Sequence, residues 1–220
     1  SPIDEVFAAI LYIKQNAEHY NVDVDHISVM GFSAGGHLAA SVGLMYQNEE
    51  YAKIVLDATN EAGLEISAVW CGWEGESTWD FVRGPITLGI VPTFYRKLRI
   101  ENLKKGSDFA KMLGVTDVAT HMGFIPENPI TDEYKGVCEA VKEIAEYCKA
   151  NGQYLLFETG QETPITLKRT IETVGTGNLG INLAPANLLL YGKANPCDAV
   201  DIFGDYVRGV HAKDGEYPTD

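Results

Sequence analysis

The sequence predicts an α/β protein built of parallel βα units, its sheet an incomplete or modified TIM-type barrel. Three observations carry this prediction. Short apolar runs recur near residues 28, 68, 119, 156, 181 and 209. Stretches of helical periodicity lie between them, and strands alternating with helices of this length make right-handed βαβ crossovers and a parallel sheet. Six strands fall short of the eight of a closed barrel, in 220 residues where about 250 is typical.

The elements follow in order. Val6, Ile10, Ile13 and Ala17 recur at three- and four-residue steps and predict a helix over 4–20. A polar turn, 21–25, leads into Ile27-Ser28-Val29-Met30, short enough for a buried strand. Gly31 to Gly36 form a turn, and 37–44 reads as helix. A helix over 52–62 stops at Gly63, the residue type favoured past a helix C-terminus. A strand at 66–70 precedes a long loop, rich in Gly and Trp, that runs through Pro92. The remaining pattern is helix 95–113, strand 118–120, helix 132–150, strand 154–157, helix 165–174, strand 179–183, helix 196–203 and strand 207–210.

Composition narrows the function classes. Hydrophobic residues make up 45% and charged residues 22%, which supports a packed core rather than disorder. With 17 Lys plus Arg against 31 Asp plus Glu, the net charge of −14 disfavours a phosphate backbone as partner, so no nucleic acid is expected. No run reaches the roughly 18 apolar residues of a membrane span, and the first residues lack the basic region of a secretory signal. The four cysteines, Cys71, Cys138, Cys148 and Cys197, form no CxxC pair. Reduced thiols in a cytoplasmic protein are expected, without zinc ligation by cysteine.

In parallel α/β sheets, chemistry collects at the carboxyl ends of the strands. Those positions hold His121, Glu158 and His211. The step from Glu158 to His211 is 53 residues, about two βα units, so these metal-capable side chains fall at equivalent points of their units. Imidazole and carboxylate together suit a divalent cation. A single His or Glu at a strand end is ordinarily a solvated or hydrogen-bonded loop residue, and that alternative stands beside the metal. Glu158 adds weight, because it directly follows the apolar run Tyr154 to Phe157, where an ionised carboxylate needs a cation or several donors.

Residues 51–220 also carry a resemblance, in Gly63-Leu64-Glu65-Ile66-Ser67-Ala68-Val69-Trp70, Thr120-His121-Met122-Gly123-Phe124-Ile125-Pro126, Phe157-Glu158-Thr159-Gly160-Gln161-Glu162-Thr163-Pro164 and His211-Ala212-Lys213-Asp214. These segments resemble the sugar phosphate isomerase/epimerase family, the xylose-isomerase-like barrels. The resemblance implies a divalent metal (Mn, Mg, Co or Zn) held by a Glu after strand four, an Asp after strand five, a His after strand six and a Glu after strand eight, and a sugar or sugar phosphate as substrate. Carried over, Glu158 matches the first ligand, and a carboxylate of the site moves a proton beside the sugar carbonyl. His211 matches the third ligand. Ala184 stands where the family has its Asp, and the fourth position would fall beyond Asp220. His121 and Asn187 are local candidates to substitute. Trp70, Trp73 and Trp79 are candidates for the sugar pocket or for the core, and Asn187 and Lys213 for substrate binding.

A second constellation is Gly31-Phe32-Ser33-Ala34-Gly35, a G-x-S-x-G elbow between a strand and a helix. Residues 1–47 resemble the α/β-hydrolase family of acetyl-xylan-type esterases, which implies Ser33 as nucleophile and the Ala34 amide as an oxyanion donor. A later acid and base should follow, and His37 is too near Ser33 to be that base. The expected organisation is therefore a hydrolase-like segment, 1–48, joined to a partial barrel, 49–220, as a chimera. Alternatively the strand at 27–30 stands in for barrel strand one within a merged sheet. An open sheet edge favours a homodimer. Three functions stay open: a sugar isomerase or epimerase scaffold with a metal site, a catalytically silent scaffold, and a serine esterase.

Overall fold

The computed structural model describes residues 12–23 and 49–216, and the chain divides into two compact units, 1–67 and 68–220. The strand expected at 27–30, the Ser33 elbow and the helix at 37–44 lie outside the described residues.

In the first unit, the part of the helix expected over 4–20 that is described is helical at 12–15, with a turn at Asn16 ahead of α1 (Ala17–Tyr20). The helix α2 (Glu49–Glu61) begins earlier than expected, with Glu49 and Glu50 in the first turn, where carboxylates complement the helix dipole. The Lys14 ammonium donates to the Ala62 carbonyl at 2.5 Å, satisfying an acceptor just past α2.

Among the described residues the second unit holds five strands: β1 (Val69–Trp70), β2 (Asp117–Thr120), β3 (Tyr154–Glu158), β4 (Leu179–Leu183) and β5 (Val207–Val210). All four pairings are parallel, and the order in space is the order in sequence. Sequential parallel βα units make this an incomplete TIM-type barrel, as the strand spacing predicts. The helices of this unit are α3 (Gly84–Thr87), α4 (Thr93–Met112), α5 (Asp132–Ala150), α6 (Pro164–Val174), α7 (Pro185–Leu190) and α8 (Pro196–Phe203).

Four of the five β3 residues and all of β4 are buried. That explains their continuous apolar runs, since both faces of a parallel sheet are covered. α5 buries Val137, Val141, Ile144, Ala145 and Cys148, one helical stripe, and packs on β3. Side-chain caps set the helix starts: Thr131 accepts from the Tyr134 amide before α5, and Thr163 from the Thr166 amide before α6. All four cysteines are free. No helix among the described residues is long and apolar enough to cross a membrane.

Element bounds shift by a residue or a few, and some differences from the sequence expectation bear on the site. The strand expected over 66–70 pairs only at Val69 and Trp70, opposite Val118 and Ala119 of β2. β3 runs one residue further than expected, so Glu158 pairs in register with Asn182 inside the sheet. α3 and α7 are short helices in stretches without helical periodicity, and each carries a proline in its first turn.

Candidate functional site

The site lies where β2 to β5 end. Glu158, 1% exposed, closes β3, and His211, 5% exposed, follows β5. The His211 Nδ1 stands 2.9 Å from Glu158 Oε1, and the Asn182 amide of β4 donates to Oε2 of the same carboxylate. The carboxylate is therefore held at once from β4 and from the chain after β5. Burial raises the Glu158 carboxyl, against the Asn182 amide and the Lys213 ammonium. Burial, and then the Lys213 charge, lower His211. Both shifts disfavour the charged forms, so the pair rests short of full ionisation.

At the next residue, the Thr159 hydroxyl clamps Ala184. It accepts from the Ala184 amide at 2.8 Å and contacts the Ala184 carbonyl at 3.1 Å. The Asn187 amide donates to the Thr159 carbonyl at 3.0 Å, and Lys213 donates to Asn187 Oδ1 at 2.9 Å. Asn187 and Lys213 are thus linked, joining α7 to the chain after β5.

His121 follows β2 and is buried against tryptophan rings, 5.0 Å from Trp79 and 6.2 Å from Trp70, with Trp73 6.1 Å beyond Trp79. Burial lowers its imidazole to about 3; Gln161 beside it opposes the shift, and the Lys213 and His211 charges add to it. The tryptophan loop is anchored by Arg99 of α4, which is fully buried. Its guanidinium donates to the carbonyls of Thr87 at 2.6 Å, Gly89 at 2.7 Å, Glu76 at 2.7 Å and Glu74 at 3.1 Å. Gly89 and Gly123, both at positive φ, let this loop approach the chain after β2: a Cβ on Gly89 would sit 2.0 Å from the Met122 carbonyl oxygen.

Glu158 and His211 therefore come together as the sequence suggests, and His121, Trp70 and Trp73 gather beside Trp79. Ser33 lies outside the described residues. Sequence reasoning passed over Asn182, Thr159, Gln161 and Glu162 as site residues. Asn182 carried a signal, as a polar residue inside the apolar run of a fully buried strand.

The donor set tests the implied metal. Among the described residues no three His, Cys, Asp or Glu side chains group so as to hold a cation. Glu158 and His211 supply one carboxylate and one imidazole, and Ala184 offers only a methyl group where a third donor is expected. The described residues do not by themselves make a metal centre.

A parallel βα barrel with a buried carboxylate–imidazole pair at its strand ends defines a class of protein, and the comparisons give the family. The model of the xylose isomerase-like TIM barrels matches residues 23–220, so the chain belongs to that family. The match takes in residues 23–47, the second half of the stretch 1–47 that resembles a hydrolase. Among solved structures, a xylose isomerase domain protein from Planctomyces limnophilus is 34% identical, with a TM-score of 0.74 over 78% of this chain and 62% of that one. A D-tagatose 3-epimerase-like protein is 21% identical, with a TM-score of 0.61 over 77% of this chain and 64% of that one. The chain thus spans less than two thirds of these relatives' length. A 58-residue stretch is 36% identical to endo-1,4-beta-xylanase B of Butyrivibrio fibrisolvens, covering 24% of this chain and 9% of that protein.

Proposed function

We propose that this chain carries the site of a sugar or sugar phosphate isomerase or epimerase, a cytoplasmic protein acting on a small-molecule substrate. The observation that supports this best is the buried Glu158–His211 pair, presented at strand ends in a xylose isomerase-like barrel. The relative described as D-tagatose 3-epimerase-like points to the same reaction class. A carboxyl raised towards neutrality is matched to accepting and returning a proton on the carbon beside a sugar carbonyl. In this reading Glu158 moves that proton. His211 and Asn182 hold its oxygens, while Asn187 and Lys213 bind substrate hydroxyls beside Trp70 and Trp73.

A divalent cation (Mn, Mg, Co or Zn) would meet only Glu158 and His211 among the described residues, so no step is routed through it. Ala184 favours a second reading, a folded scaffold without turnover. One experiment separates the two. The chain is incubated in D₂O with D-fructose, D-xylulose and their phosphates, with and without 1 mM Mn²⁺, and deuterium at the carbon beside the carbonyl is read by NMR. Incorporation that disappears in Glu158→Gln supports the isomerase reading. No incorporation with any of the sugars leaves the scaffold.

A further inference from the structure

Beyond the Glu158–His211 pair, buried polar atoms without a hydrogen-bond partner concentrate in one place. They are Nδ1 of His121, both amide atoms of Gln161 and Oε2 of Glu162, with Nε1 of Trp70 nearby. The three polar residues are 6%, 1% and 2% exposed. Buried polar groups in folded proteins are nearly always paired, so four orphaned atoms on three neighbouring residues mark a place where the partner comes from outside the chain.

The surroundings say what kind of partner. Gln161 sits between the His121 imidazole and the Tyr191 hydroxyl, near enough to bias both, without a hydrogen bond of good geometry to either. Aromatic rings flank the group: Trp79 lies 5.0 Å from His121, and Phe81 5.4 Å from Tyr191. Burial holds the Glu162 carboxyl up at about 8, against its own and Gln161's backbone N–H groups and the Lys193 ammonium, with the Glu158 charge raising it further. An imidazole, a carboxamide and a carboxyl offer both donors and acceptors, crowded on three neighbouring buried residues. That set complements hydroxyl groups, each of which both donates and accepts, and aromatic faces complement the C–H faces between them. A phosphate would meet the Glu158 and Glu162 carboxyls, with the Lys213 and Lys193 ammoniums opposing them, so the titration below compares a sugar with its phosphate.

We propose that His121, Gln161 and Glu162 form a hydroxyl-recognition subsite that takes the uncharged polyol portion of a sugar whose carbonyl end lies at the Glu158–His211 pair. This rests on the sugar-isomerase reading of the site and adds which residues recognise the substrate and which part of it they take. Glu162 acts as a hydrogen-bonding group that orients the sugar, with no role in proton transfer at carbon.

The chain's three tryptophans, Trp70, Trp73 and Trp79, all stand in this region, so intrinsic fluorescence reports it directly. The full chain is titrated with D-fructose and with D-fructose 6-phosphate. D-fructose is expected to change the emission saturably, with the dissociation constant raised at least tenfold in Gln161→Ala and Glu162→Ala and less than threefold in Glu162→Gln, which keeps a neutral donor and acceptor. Gln161→Met, of similar volume, serves where Gln161→Ala loses its cooperative melt, and is expected to show the same loss. Wild-type affinity in Gln161→Met and Glu162→Ala overturns the subsite alone and leaves ordered water as the occupant. Binding of the phosphate tenfold tighter than of D-fructose overturns the neutral class. If neither sugar binds the wild type, both the subsite and the isomerase reading fall. Sugar binding with the predicted losses but no deuterium incorporation keeps the subsite and removes only the reaction.

Discussion

Nδ1 of His211 stands 2.9 Å from Oε1 of Glu158, so a side chain after β5 reaches past β4 to a carboxylate at the end of β3. With the Asn182 amide on the other oxygen, the carboxylate is fixed by the strand register itself. The parallel pairing sets Glu158 opposite Asn182, and any register slip would separate the two.

This arrangement predicts how the pair responds to deletion. His211→Ala leaves a buried carboxylate with one partner fewer, which costs about 1–3 kcal/mol. For a chain of this size that is roughly 2–12 °C of melting temperature. Glu158→Gln keeps the shape and an acceptor for Asn182, and is expected to cost less. Thermal melts by circular dichroism check this, and a wild-type midpoint in His211→Ala sinks the idea that the contact stabilises the fold.

Glu162 predicts a pH dependence. Its carboxyl is raised from 4.5 to about 8 by burial, so the folded chain keeps a proton that the unfolded chain releases. Below about pH 4.5 both states are protonated and the group contributes nothing. Between about 4.5 and 8 stability falls by up to roughly 1.4 kcal/mol per pH unit, and above 8 the loss is complete, at a few kcal/mol. Glu162→Gln removes the titrating proton. Its midpoint should gain on the wild type from pH 5 to 8 and hold that gain above. Parallel midpoint-against-pH curves for the two proteins would contradict this.

Ala184 predicts a gain of function in metal binding. Its amide is already tied to Thr159, so a longer side chain changes the donor set while that tie holds the backbone. Ala184→Asp brings a carboxylate to the position that family resemblance gives to an Asp. It should lower stability in the absence of metal, because a charge is buried. With 1 mM Mn²⁺ it should show a larger upward midpoint shift than the wild type. Each tenfold gain in affinity is worth about 1.4 kcal/mol, or roughly 3–6 °C. Ala184→Asn, neutral and isosteric with Asp, should respond less. Equal shifts in the wild type and Ala184→Asp would mean that position 184 does not face the cation.

The strand order was legible because burial on both faces of β3 and β4 leaves continuous apolar runs, and Glu158 stood out as the ionisable residue ending one of them. Its partnership with His211 was visible only as spacing, since residues 53 apart meet through an intervening strand that the sequence does not display as a contact. Gln161 and Glu162 were not legible. They sit in a polar loop that reads as solvated, and the groups beside Gln161, His121 and Tyr191, are far away in sequence. α7 was hidden for a related reason: at six residues it is too short to show a period, and only Pro185 marks its start.

Arg99 predicts that the tryptophan wall depends on one buried cation. Its guanidinium donates to four backbone carbonyls of the stretch 74–89, which has no long helix or strand of its own to satisfy them, and it stacks 4.4 Å from Tyr95 and 5.3 Å from Trp73. Arg99→Ala orphans those carbonyls together, so the loss should be at least about 3 kcal/mol. Arg99→Lys keeps the charge but not the planar fork, and is expected to recover little of it. Because Trp73 and Trp79 ride on this loop, the emission maximum should shift to the red in both variants at temperatures where circular dichroism still reports a folded sheet. An unshifted maximum in Arg99→Ala, with the sheet intact, would show that the loop holds its shape through Asp80, whose carboxylate takes the Val82 and Arg83 amides, and through the Gly89–Met122 contact instead.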